Sequence, residues 1–83
     1  KYLGTFDIND FNKQSEYRLP KIEELQELYK SGQMNQYSIY GYLFRSSTIH
    51  DYINDMTYTF DLWNKEVDFS SMDIALHVIG IKL

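Results

Sequence analysis

Apolar positions along this chain change their period after Gly32, and that change divides it into a helical stretch and a strand-rich remainder. Between Lys21 and Ser31, Ile22, Leu25, Leu28 and Tyr29 recur at helical spacing on one face, while Glu23, Glu27 and Lys30 lie off it. Pro20 pre-sets the backbone for the first turn. Glu23 and Glu24 complement the positive end of the helix dipole, Lys30 sits near the negative end, and Gly32 supplies the stop. The spacing therefore predicts one clear helix over about 21–31, with an apolar face that has to bury against something.

Beyond Gly32 the period falls to two. Ser38 to Arg45 places Ile39, Gly41 and Leu43 on one side and Tyr40, Tyr42 and Phe44 on the other, which predicts a strand covered on both faces. Tyr58, Phe60 and Leu62 alternate with Thr59, Asp61 and Trp63. Asn64-Lys65-Glu66 then reads as a turn into Val67-Asp68-Phe69, and the whole as a hairpin. Ser70 to Asp73 breaks the pattern, and Ile74 to Ile81 forms a final apolar strand. Tyr2 to Phe6 is a further strand whose natural mate is the last one. Asp7 to Tyr17, with only Ile8 and Phe11 as anchors, is either a short helix or a loop. The sum is an α+β fold: a small antiparallel sheet, one clear helix and paired terminal strands, in a single domain spanning 1–83.

A chain of 83 residues builds one modest core. It begins at Lys1 with no initiator Met and no apolar leader, so it reads as a fragment of a longer chain. No apolar run is long enough to cross a bilayer, so direct membrane insertion by this segment is not expected. The absence of cysteine removes thiolate chemistry, Cys-based zinc sites and disulfides. Twelve acidic against eight basic residues give a net charge of −4 with no basic cluster, which argues against nucleic acid as a partner. The unusual quantity is the aromatic content of 17 %, and five of the eight tyrosines (Tyr37, Tyr40, Tyr42, Tyr52 and Tyr58) fall in the middle of the chain. Tyrosine joins an apolar body to a hydrogen-bonding tip, so it serves both small cores and binding surfaces.

Candidate chemistry is sparse. Ser46, Ser47, His50 and Asp51 supply the residue types of a hydrolytic triad, but neighbours along a strand alternate in direction and do not converge; the serines and Thr48 are expected to hydrogen-bond inside the sheet, with His50 in a loop. No glycine elbow frames either serine, and two histidines, His50 and His77, do not make a metal site. His77 is expected to be a packed or edge residue. Asp51, Asn54 and Asp55 lack the calcium-loop spacing but lie among aromatics, where oxygen side chains can orient sugar hydroxyls and a ring can stack on a sugar's apolar face. No enzyme, metal or cofactor is expected.

Arg18-Leu19-Pro20-Lys21-Ile22-Glu23-Glu24-Leu25-Gln26-Glu27-Leu28-Tyr29 resembles the "RLPT-x-x-EL-x-x-LY" segment of bacterial C-type-lectin-like domains, which tip intimin- and invasin-type surface adhesins. Tyr40 to Thr48 resembles the family's strand ending in Ser-Ser-Thr, Tyr58 to Leu62 its "HYTVNL" strand, and Ala75 to Ile81 its closing strand. The resemblance covers roughly residues 17 to 81. It implies a C-type-lectin-like fold, attachment to a host-cell receptor protein or glycan, and a place at the cell surface as part of an outer-membrane-anchored protein, without catalysis. The departures are specific. Lys21 replaces a Thr that can cap the helix, so the start needs another cap. Arg45 stands in an aromatic slot, and Gly80 occupies a cysteine position, so the family's disulfide is lost. Trp63-Asn64-Lys65 resembles the "WND" calcium motif of animal C-type lectins with Lys for Asp, which opposes a cation.

The residues expected to meet a ligand are Tyr37, Tyr52, Asn54, Asp55, Trp63 and Asn64, the aromatics as anchors and the polar groups as orienting donors and acceptors. The alternative is an assembly module that packs on a neighbouring domain or subunit and takes no external ligand. The sequence carries no signature of oligomeric state.

Overall fold

Two three-stranded antiparallel sheets and one main helix make up the chain, which a computed structural model describes over residues 3–40, 43–71 and 77–83. In order these are β1 (Leu3–Asp7), α1 (Ile8–Asn12), β2 (Tyr17–Arg18), α2 (Ile22–Lys30), a 3-10 helix (Gln33–Tyr40), β3 (Leu43–Ile49), β4 (Met56–Asp61), β5 (Glu66–Ser71) and β6 (His77–Lys82). One sheet has the order β1-β6-β2 and the other β3-β4-β5. The expected pairing of the terminal strands holds, with Leu3 opposite Ile81 and Phe6 opposite Val78. The expected hairpin is β4–β5, Tyr58 facing Phe69 and Phe60 facing Val67.

The helix lies within a residue of its expected bounds, and its start is completed from a distance. Lys21 has no side-chain acceptor to offer, so the Ile22 N–H donates instead to the Thr48 hydroxyl at 3.0 Å. The Glu24 carboxylate accepts from the Lys21 N–H at 2.9 Å and takes both arms of the Arg18 guanidinium, at 2.7 and 2.9 Å. That hydrogen bonding raises the pKa of Arg18 above its ordinary value. The Ser47 N–H donates to the Pro20 carbonyl at 2.9 Å, tying β3 to the segment that leads into α2. At the other end Gly32, at φ 81, takes the left-handed turn that stops the helix.

Ile22, Leu25 and Leu28 of α2 bury against Met34, Phe44 of β3, Phe60 of β4 and Ile79 of β6. The core thus sits where α2 covers both sheets, each large side chain contributing about 2 kcal/mol of burial. The opposite face of the first sheet carries a second, smaller cluster, in which Phe6 meets Phe11 of α1 and Tyr17 of β2 edge-on, at centroid distances of 5.9 and 4.9 Å. Gly80 lies beneath it: a Cβ there would stand 3.0 Å from the Tyr17 Cβ and 3.2 Å from both phenylalanine rings.

Three expectations are corrected. The strand expected over Ser38 to Arg45 begins only at Leu43; Ser38 to Tyr40 end the 3-10 helix, and Gly41 and Tyr42 lie outside the described residues. The actual strand runs on through Arg45-Ser46-Ser47-Thr48, a polar stretch that period-two apolarity does not reveal. The one buried member of that stretch is held by bonding: the Ser46 hydroxyl donates to the Tyr58 carbonyl at 2.6 Å, inside the sheet as expected. Ser70 and Ser71, read as a break, extend β5 by pairing with Thr57 and Met56, because a partner strand outweighs poor strand propensity. Finally, the single small sheet is two, and the two-residue β2, too short to show a period, completes the first by pairing with β6. Of the expected last strand, 74–76 lie outside the described residues. His77 is half-buried, opposite Asp7 on the central strand β6.

Two substitutions test these links. Thr48→Val removes the acceptor for the Ile22 N–H and should lower unfolding free energy by about 1–2 kcal/mol in urea titration. Gly80→Val should cost about 2 kcal/mol or more by overpacking the Phe6, Phe11 and Tyr17 cluster, read as a fall in thermal midpoint.

Candidate ligand-binding site

The β4–β5 turn is built around a buried carboxylate. Asp61 is 5 % exposed, and its Oδ1 accepts from the Trp63 N–H at 2.9 Å and the Asn64 N–H at 3.0 Å. Its Oδ2 accepts from the Asn64 side-chain amide at 2.9 Å. An aspartate that bonds the backbone two and three residues ahead shapes a tight turn, and Asn64 is absorbed in that work. Lys65 follows at φ 58, a left-handed conformation that costs a side-chain-bearing residue about 1 kcal/mol. The turn holds Trp63 outward, 77 % exposed.

Opposite Trp63 stands the C-terminal end of α2. Tyr29, half-buried and packed at 5.1 Å on Phe60, lines a hollow together with Lys30, Gly32, Asn35, Leu62 and Trp63. Lys65 lines it as well. The result is an open groove of about 620 Å³ with an indole at its rim and a mixture of apolar and polar lining. Among the described residues neither Lys30 nor Lys65 makes an ion pair.

At the far end of β4 a second aromatic group gathers on the loop 50–55. The His50 ring stacks on Tyr58 at 5.1 Å and meets Phe69 edge-on at 4.7 Å. Its Nδ1 accepts from the Tyr52 and Ile53 N–H groups at 3.1 and 3.2 Å, which puts the ring proton on Nε2. The Tyr58 hydroxyl donates to Asp51 at 3.1 Å. Tyr52 is 91 % exposed, and Asn54 and Asp55 are exposed beside it.

The six residues expected to meet a ligand therefore fall into separate places. Tyr52, Asn54 and Asp55 share one loop; Trp63 and Asn64 share the turn at the other end of a six-residue strand, roughly 20 Å away. Tyr37 is half-buried on the 3-10 helix and packs against the core. One ligand of ordinary size meets one group or the other. Sequence reasoning missed Tyr29, Lys30, Asn35, Leu62 and Lys65 as neighbours of Trp63. Tyr29 and Lys30 were already accounted for by the buried face and the dipole of α2, and the only local signal was a lysine in a turn position that suits glycine or asparagine.

The serine and histidine of the triad-like stretch are each bonded within the fold. Ser46 donates to Tyr58 and accepts from the Thr48 N–H at 3.1 Å, while His50 faces the backbone of its own loop. Another hollow, of about 820 Å³, is lined by Phe11, Tyr17 and Leu19, by the Arg18–Glu24 pair and by Lys21. Among the described residues no three His, Asp or Glu side chains gather to hold a metal ion.

Lys65→Gly should relieve the left-handed strain and raise stability by about 0.5–1 kcal/mol, seen as a higher thermal midpoint. Comparisons with protein-family models, with curated proteins and with solved structures find no match for the chain.

Proposed function

We propose that this chain is a non-enzymatic binding domain that takes a glycan in the groove headed by Trp63. The observation that carries the reading is an indole 77 % exposed at the rim of a groove wide enough for a sugar, carried on a turn shaped by a buried aspartate. A large ring held out in water loses the benefit of burial unless a ligand covers it, and the apolar face of a pyranose is the partner that an exposed flat ring suits. Asn35, Lys30 and Lys65 stand within the same groove and supply the hydrogen-bonding groups that orient hydroxyls. An open groove also suits a chain of sugars better than a small enclosed molecule.

The biological setting follows from resemblance. The ordered segments from Arg18 to Tyr29, Tyr40 to Thr48, Tyr58 to Leu62 and Ala75 to Ile81 support a C-type-lectin-like domain at the tip of a bacterial surface adhesin, exposed at the cell surface within a longer outer-membrane-anchored protein and meeting a host receptor or glycan. A second reading, an assembly module, is favoured by β5, an edge strand with Val67 37 % and Phe69 44 % exposed on the face that carries Tyr58. Light scattering separates the two, since an assembly module should associate through that strand and a lectin-like tip need not.

On a glycan array the domain should retain specific oligosaccharides, and Trp63→Ala should weaken retention at least about tenfold while leaving the thermal midpoint within about a degree. Failure of the unaltered domain to retain any glycan would defeat the reading.

A further inference from the structure

We propose that the ligand of the Trp63 groove is an acidic sugar, a pyranose bearing a carboxylate, with its ring against the indole and its anion between Lys30 and Lys65. This rests on the glycan reading and adds the charge of the ligand. The chain as a whole is acidic, at −4, yet the groove is lined by two lysines and by no carboxylate. Elsewhere Arg18 pairs with Glu24 and Lys82 with Glu16 at 2.9 Å, while Lys13 and Lys21 make no ion pair among the described residues. The two ammonium groups of the groove have no such counterpart among the described residues. An exposed lysine is ordinary, but two lysines from elements far apart in sequence line one aromatic groove. The carboxylate of the turn, Asp61, is buried with three N–H donors already on it, so the charge the groove presents to a ligand is that of the lysines.

Lys65 adds an independent observation. It occupies a left-handed backbone position that glycine fills without strain, and the conformation sets its side chain beside Trp63. Strain of this kind is held by the surrounding structure, here the Asp61 turn, and it clusters at ligand-binding sites. The carbonyl end of α2 points the other way electrostatically, disfavouring an anion. It is partly neutralised within the protein, because the Leu28 carbonyl accepts from the Ser31 hydroxyl at 3.0 Å, the Glu27 and Tyr29 carbonyls accept from the N–H groups of Ser31 and Gly32, and Lys30 lies beside it. A carboxylate between two ammonium groups makes charge-assisted hydrogen bonds, stronger than those a neutral hydroxyl makes.

Trp63 is the chain's sole tryptophan, so its fluorescence reports occupancy of the groove directly. The probes are oligosaccharides of galacturonate, glucuronate-containing heparosan and sialyllactose, each titrated as the free acid and as its methyl ester, which keeps the rings and removes the charge. At least one free acid should bind about tenfold more tightly than its ester at low salt, with the advantage shrinking as salt rises. Lys30→Gln and Lys65→Gln should each bring the acid's affinity down toward that of the ester. Lys65→Gly should do the same while raising the thermal midpoint, which rules out misfolding as the cause. Equal binding of acid and ester, or undiminished acid binding by Lys65→Gly, overturns the acidic ligand and leaves the glycan reading standing. No response to any of these probes or to a panel of neutral oligosaccharides removes both.

Discussion

The fold depends on one junction, where the segment from Arg18 to Leu25 meets Ser46 to Thr48. A nine-residue helix is too short to persist by itself, and its first N–H groups need acceptors that Lys21 cannot offer. Thr48 supplies one from 26 residues away, Glu24 supplies another from within the first turn, and the Ser47 N–H holds the Pro20 carbonyl. Arg18, gripped by Glu24, belongs to β2, which pairs with β6. A single set of bonds thus joins the first sheet, the helix and the second sheet. With the helix start fixed in this way, Ile22, Leu25 and Leu28 have one place to bury, over Phe44, Phe60 and Ile79.

Fixing the start of α2 also fixes its end, because a nine-residue helix is a rigid rod roughly 13 Å long. Tyr29 and Lys30 therefore stand at a set height above β4, and Tyr29 touches Phe60. Just past Phe60, Asp61 turns the chain and lifts Trp63. Both walls of the groove are thus carried by rigid pieces that share one core, and the groove does not depend on a long loop for its shape. A binding constellation gains precision from such support. The loop 50–55, despite its richer mixture of tyrosine and carboxylates, is braced mainly by its own His50 and carries its exposed ring, Tyr52, on a shorter foundation.

What the sequence made legible follows the physics of each element. The helix was visible because Ile22, Leu25, Leu28 and Tyr29 repeat cleanly and Pro20 and Gly32 bracket them; the hairpin was visible because Tyr58 and Phe60 alternate with polar residues before a turn-forming triplet. The start of β3 was misplaced because a strand that buries hydroxyls, such as Ser46, carries no apolar period, whereas Ile39 and Tyr40 imitate one inside a 3-10 helix. The site was legible in part. Trp63 stood out by its residue type, but its companions come from the end of α2, and no local pattern announces that Lys30 and Lys65 will share a groove. Asn64 is expected to orient a ligand as a polar group beside Trp63, whereas its amide serves the turn.

Gly80, where the resemblance implies a cysteine, sits under packing that closes the chain without any disulfide. β6 is the middle strand of its sheet, held on both sides by β1 and β2. Over its glycine, Phe6, Phe11 and Tyr17 come together from three different elements, so a side chain at that position would push them apart. The last residues add local ties: the Leu83 N–H donates to the Glu16 carbonyl at 2.8 Å, and the Lys82 ammonium lies 5.3 Å over the Tyr17 ring while pairing with the Glu16 carboxylate. A disulfide would fasten two points and make closure depend on the redox state of the surroundings. Ring packing over a glycine spreads the same closure across α1, β1, β2 and β6, and it is indifferent to reductant.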